Sequence, residues 1–259
     1  MPLCDPRSPK HEYELYVERE IENYKDSIPR SAILSIGDEA VASLLQDSQL
    51  TLTQLVLWEE VDRIIMNRLR IPSYRVWRRR CYKMLEEYRR PERWGLRPES
   101  ALLRAFRPNG DSHVLVAGDT GEGVAVYLAA NGCEVTAIDL PDEALERVLS
   151  IAGAAGLTQR VRPSVTGFEH WQPDAPLNAV VCTPMALARL APAERRQVIR
   201  LLQSATADGG VHLVETIVAG QHALSLAELR ARYAGWEITV ERDQRERGAR
   251  SFLARKGVA

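Results

Sequence analysis

Three glycines, Gly118, Gly121 and Gly123, stand within six positions directly after the apolar run HVLVA, and a carboxylate, Asp139, follows Gly118 by 21 residues. Glycine lets a backbone approach a ligand closely, and a helix that starts after such a turn offers unpaired N–H groups to it. An acidic side chain about 20 residues further on, at the tip of the next strand, is placed to accept hydrogen bonds from a ribose hydroxyl pair. The spacing therefore suits a nucleotide. The same glycines would also serve a tight strand-to-helix turn that holds no ligand.

Other reactive side chains are scattered. His170 and Trp171 lie after a weak third strand, Thr183 and Met185 after a strong fourth one, and His170 is a candidate general base because histidine titrates near neutrality. His113 and His212 alternate with apolar residues and read as structural. Glu215, in VHLVETIV, either faces the cleft or ends a strand. His11 and Glu12 lack the second histidine four residues on that a zinc protease needs. Cys4, Cys81, Cys133 and Cys182 are far apart with no Cys-x-x-Cys pair, which argues against metal and against a disulfide framework and fits a reducing cytoplasm.

The elements that must position these residues fall into two grammars. From about residue 11 to 90 apolar residues recur at helical spacing: Tyr13, Val17, Ile21 and Tyr24; then Ile33, Ile36, Ala40, Val41 and Leu44; then Leu57, Val61, Ile64 and Ile65; then Tyr74, Trp77, Cys81, Met84 or Leu85, and Tyr88. Four amphipathic helices are expected, the last two stopped by Pro72 and Pro91. PERWGLRPES reads as the junction, so an all-α domain is expected over 1–94 and a second domain over 95–259. There strands alternate with helices, which indicates a mostly parallel sheet covered on both faces. The tail WEITVERDQRERGARSFLARK reads as an antiparallel hairpin.

Totals exclude little. At 259 residues the chain holds 34 basic and 35 acidic side chains, so any nucleic-acid or anionic-membrane partner would have to be met by local clustering. Such a cluster is the fourth helix and the residues just after it, PSYRVWRRRCYKMLEEYRRPER, with Arg75, Arg78, Arg79, Arg80, Lys83, Arg89, Arg90 and Arg93. It is expected to be a solvated face, or one paired with the acidic EYELYVEREIE segment, with RNA or a protein partner as the other readings. No stretch is long and apolar enough to span a membrane.

VYLAANGCEVTAIDL, the segment from Asn178 to Val214, and LAELRARYAGWEITVERD with FLARK resemble, in that order, class I S-adenosylmethionine-dependent methyltransferases, and most of all the tellurite-resistance and thiopurine-methyltransferase-like group. The resemblance covers roughly residues 95–257. It implies an α/β fold: a seven-stranded, mostly parallel, Rossmann-like sheet ending in an antiparallel hairpin, here preceded by the helical domain. It also implies S-adenosyl-L-methionine as cofactor, held by Gly118, Asp119, Thr120, Gly121, Asp139 and Leu140, and a small-molecule or oxyanion acceptor. The family's acid and Gly-x-Gly-x-Gly fall by length on Val116, Gly118, Thr120 and Glu122, so one position of four matches. A second acidic position falls near Gly167, and Asn178 stands where an aspartate commonly opens the fourth strand. These departures also fit a protein of this fold that no longer catalyses and serves as an interaction or structural subunit. The helical domain could lid the site, or bind a protein partner or a second copy.

Overall fold

The computed structural model describes residues 8–45, 53–118, 121–138, 141–164, 167–168, 170–218, 224–242 and 248–258. Its contacts divide into two compact units, Met1–Cys81 and Tyr82–Ala259.

The first unit is helical: α1 (Pro9–Ser27), α2 (Arg30–Leu45), α3 (Gln54–Leu69) and the start of α4 (Tyr74–Tyr88). Local signals set the ends. Ser8 caps α1 by accepting from the His11 amide at 3.3 Å, and Thr53 caps α3 through the Val56 amide at 3.3 Å. Beyond α3, Arg70 takes a left-handed conformation (φ 51°) and turns the chain toward Pro72. Ile21, Ile36, Ala40, Val61, Ile64 and Ile65 form the core, as their helical spacing requires. Glu60 is buried beside them, and its hydrogen bonds from Arg63 hold its carboxyl down at about 2 against the opposing effect of burial. Tyr13, Tyr74 and Trp77 make an aromatic cluster with ring centroids 5.5–6.3 Å apart. The aromatics of α4 that belong to this unit thus face the core.

The second unit is built on seven strands: β1 (His113–Ala117), β2 (Glu134–Ile138), β3 (Val161–Ser164), β4 (Leu177–Cys182), β5 (Thr206–Ile217), β6 (Glu237–Arg242) and β7 (Arg250–Arg255). Their order is β3-β2-β1-β4-β5-β7-β6. The first five are parallel, and β7 is antiparallel to both its neighbours. This is the seven-stranded, mostly parallel α/β sheet with a terminal hairpin expected from the alternation of the sequence. Helices α5 (Ala101–Ala105), α6 (Glu122–Ala130), α7 (Asp142–Ala154), α8 (Pro184–Ala188), α9 (Pro192–Ala205) and α10 (Leu226–Arg232) complete it. Among the described residues no helix lies between β3 and β4, and buried Phe168 and Trp171 plug that face instead.

Strand pleating sorts the core into two layers. Val114, Val116, Ala179, Val181, Val211 and Leu213 face α5, α6 and α7; Leu115, Val180, Val214 and Phe252 face α8, α9 and α10. Every residue of α6 from Val124 to Ala130 is buried, so this helix is apolar all round, as a helix closed in on all sides must be.

The junction differs from its sequence-based position. The residues expected to link two domains form a 3-10 turn, Pro91–Trp94, inside the second unit, with the Trp94 indole N–H donating to the Tyr88 carbonyl at 2.9 Å. Met84, Leu85, Tyr88 and Trp94 all pack on the core beneath α6. Proline and glycine marked a change of direction there; the apolar face of the last part of α4 already belongs to the sheet.

Candidate active site

Strand order reverses between β1 and β4, since β1 continues to β2 on one side while β4 continues to β5 on the other. In an open parallel sheet the crevice outside the carboxyl ends at this point is where ligands bind. Gly118 stands there. Its amide donates to the Ile138 carbonyl at the end of β2 (3.3 Å), and the Thr183 amide donates to the Ala117 carbonyl (3.1 Å), so the ends of β1, β2 and β4 are tied together.

Each glycine of the turn has a physical account. Gly118 has φ +93°, a region costly for side chains, and a Cβ there would come within 2.1 Å of Thr183 Oγ1. A Cβ on Gly121 would meet Val116 Cγ1 at 2.7 Å, because α6 starts hard against β1. At Gly123 it would meet Trp94 Cε3 at 3.2 Å, tighter than ordinary contact, so the indole would have to give by a few tenths of an ångström. Close packing of strand, turn and helix therefore uses all three. The space that Gly118 leaves is taken by a threonine hydroxyl of the protein itself.

Glu122, at the position the family's third glycine would occupy, turns to α7. Arg147 grips it with two hydrogen bonds, 3.0 Å from Nε and 2.7 Å from Nη2, and this pairing pulls its carboxyl below the usual range. The first-turn amides of α6 have no intrahelical acceptor by construction and open at the same end of the sheet. Asp119, Thr120, Asp139 and Leu140 lie outside the described residues; Asp139 follows Ile138 directly in the chain.

Glu215 is buried at the carboxyl end of β5, 8% exposed. The pairing of β5 with β7 shifts register between Val214 and Ile217, around this residue. Behind it, Cys182 on β4 is pushed up to about 12, first by burial and then by the charge of Glu215. A thiol held protonated in this way is no nucleophile.

His170 is placed elsewhere. It is exposed, in a turn whose amide donates to the Gly167 carbonyl (3.1 Å), and it lines a half-open cleft of about 800 Å³ between the segment after β3 and α9. Trp171, Gln197 and Arg200 share that wall, whereas Gly118, Gly121 and Thr183 are not in it. Among the described residues no group of His, Cys, Asp and Glu could hold a metal ion, and no helix is long and apolar enough to cross a membrane.

Three residues support the sheet unit, of which only His212 was expected to be structural. Asn178 opens β4 and its side-chain oxygen accepts from the His113 amide at 2.8 Å, pinning the start of β1. Arg195, almost wholly buried, donates to the carbonyls of Leu187 (2.8 Å) and Leu190 (3.1 Å) and to Glu228 (2.9 Å), which fixes the loop after β4 against α10. His212 sits in a buried chain with Thr206 Oγ1 at 2.6 Å and Tyr233 Oη at 2.7 Å. Asn178 and Arg195 look ordinary in a sequence because His113 and Glu228 are 65 and 33 positions away from them.

No protein-family model matches the chain, and neither does any curated protein. Among solved structures, it is similar to a TehB-like SAM-dependent methyltransferase from Corynebacterium glutamicum (17% identity, TM-score 0.49, covering 69% of this chain and 98% of that one). It is also similar to the N-methyltransferase NodS from Bradyrhizobium japonicum (15%, 0.46, 57% and 86%). The third is TehB from Haemophilus influenzae (15%, 0.44), where the match covers 56% of this chain and 58% of TehB's own length.

Proposed function

We propose that the sheet unit binds S-adenosylmethionine across the carboxyl ends of β1, β2 and β4 and transfers its methyl group to a small acceptor. One observation carries this reading: the seven-stranded, mostly parallel sheet with an antiparallel terminal hairpin is the architecture implied by the family resemblance, and in its order β3-β2-β1-β4-β5-β7-β6 Gly118 and the chain leading to Asp139 stand at the switch point.

The bound sulfonium would supply an electrophilic methyl group with a good leaving group attached. What the protein must add is mainly alignment, and alignment alone can contribute several kcal/mol. In this reading Asp139 and Leu140 take the ribose and adenine, Asp119, Thr120 and Gly121 follow the methionine part, and Thr183 and Glu215 face the acceptor. His170, on the α9 cleft, has no part in the proposed chemistry.

A second reading has its own support. All three glycines of the turn are used by protein atoms and Glu122 is engaged by Arg147, which suits a sheet kept for its shape after losing its cofactor. Titration calorimetry with S-adenosylmethionine and S-adenosylhomocysteine separates the two. Micromolar binding that disappears in Asp139→Ala is the expected result. A folded sample that binds neither compound overturns the enzymatic reading and leaves the scaffold.

A further inference from the structure

Helix α4 has two unlike faces. Trp77 and Cys81 are buried, while Arg75, Arg78, Arg79, Tyr82 and Lys83 are exposed, Tyr82 to 64%. Those five positions are spaced by three and four residues and so lie along one stripe of the helix. None of the four cations is paired with a carboxylate among the described residues, in contrast to Arg89 and Arg90, which pair with Glu86 and Glu87 one turn earlier. The acidic helix α1 offers no ion pair to them among the described residues either.

From Arg75 to Lys83 the stripe is about 12 Å long at 1.5 Å per residue. A polynucleotide strand carries a charge every 3.4 Å or so along its axis, so about three to four phosphates match four cations. Tyr82 adds what a bare electrostatic surface lacks: an exposed ring flanked by Arg78 and Arg79 one turn back, on which a base can stack. A membrane surface would call for several apolar side chains along the stripe, and an acidic protein segment has no use for the lone ring.

We infer that this stripe of α4 is a binding surface for single-stranded nucleic acid, with the four cations on consecutive phosphates and one base stacked on Tyr82. The site does not depend on methyl transfer, and loss of either activity leaves the other intact.

The test uses the full chain, fluorescence anisotropy, and a fluorescein-labelled single-stranded RNA of about a dozen mixed-sequence nucleotides, a length that more than covers one stacking site. Four phosphate contacts predict a logarithmic salt slope of about −2.8, so Kd weakens about 50-fold between 50 and 200 mM salt. The Arg75→Gln, Arg78→Gln, Arg79→Gln, Lys83→Gln quadruple variant abolishes binding and the slope. Tyr82→Ala weakens binding about tenfold at unchanged slope, in the range of one lost stack, while Tyr82→Phe keeps it. All five side chains point to solvent, so circular dichroism and thermal melting should be those of the parent, and calorimetry with S-adenosylmethionine is unaffected. Equal affinity for single-stranded DNA supports the assignment, since phosphate and base stacking are common to both. Four results overturn it: wild-type affinity in Tyr82→Ala, tighter binding of a duplex than of a single strand, salt-insensitive binding, or displacement of the RNA by poly-L-glutamate at equal charge, which would point to an acidic protein partner.

Discussion

On the α6 face of the sheet, helix and strands meet through glycine, alanine and valine, and the contacts are so close that Gly118 and Gly121 have no room for one further carbon. On the face covered by α8, α9 and α10 the same sheet is held by polar clamps: Arg195 binds carbonyls and a carboxylate, and His212 bridges Thr206 to Tyr233. The first arrangement tolerates no added atom. The second tolerates no missing partner, because a buried donor or acceptor left alone costs the full desolvation of that group. One sheet thus uses shape on the side of the candidate site and hydrogen bonding on the other.

The largest expected effect is on the crowded face. Gly118→Ala combines a left-handed backbone with a Cβ driven into Thr183, so a stability loss of about 4 kcal/mol is expected in urea unfolding. A loss below about 1 kcal/mol, the range of an ordinary surface change, would mean the turn can relax and would remove the contrast.

Next comes Arg195→Met, which keeps much of the volume but strands three carbonyls and the Glu228 carboxylate. Because Glu228 is partly exposed, with 23% side-chain accessibility, we expect about 3 kcal/mol rather than the upper end for a broken buried pair. Calorimetric melting of the variant beside wild type checks this, and the double variant with Glu228→Gln should recover part of the loss.

The His212 chain gives a pH signature. Thr206 donates to the Leu202 carbonyl at 2.6 Å, so its oxygen accepts from His212 Nε2–H, and Nδ1 accepts from the Tyr233 hydroxyl. Every group is satisfied only while the imidazole is neutral, and burial, helped by the charge of Lys256, pushes its pKa down to about 3. The unfolded chain binds the proton near pH 6.5 and the folded one does not, so this stabilisation is complete above pH 6.5 and is lost as pH falls toward 3. The slope approaches about 1.4 kcal/mol per pH unit inside that window. Unfolding free energies measured from pH 7 to 4 should show it in wild type, and His212→Gln should flatten it.

The smallest effect is at Arg147→Ala. Its grip on Glu122 is bidentate, but the two side chains are 55% and 28% accessible, so the loss in urea unfolding should be the smallest of the four and should shrink further in high salt. A loss several times larger would show that α7 depends on this pair, and that the apolar face is held by charge as well as by shape.

The periodicities were legible because burial has a period. Ile36, Ala40 and Leu44, like Val61, Ile64 and Ile65, recur as a helix demands, and Leu115, Val180 and Leu213 sit in runs that only a sheet covered on both sides can bury. The hairpin of β6 and β7 was legible for the same reason. The short helices α5 and α8, with five residues each, were missed because so few residues show no period. PERWGLRPES has the composition of a linker, and composition does not reveal that Trp94 is pressed on Gly123.

By itself, the order of apolar runs, caps and breakers determined the class of fold, the seven strands and the amphipathic helices, since each of these depends on residues near one another in the chain. The strand order, with β1 between β2 and β4, belongs to the tertiary structure. Tertiary structure alone decided what the glycines are for, that Glu122 belongs to Arg147, that Glu215 is buried beside Cys182, and that His170 lines a cleft in which Gly118 has no part. Those outcomes rest on contacts between side chains dozens of residues apart, and packing at that range leaves no periodic trace in a sequence.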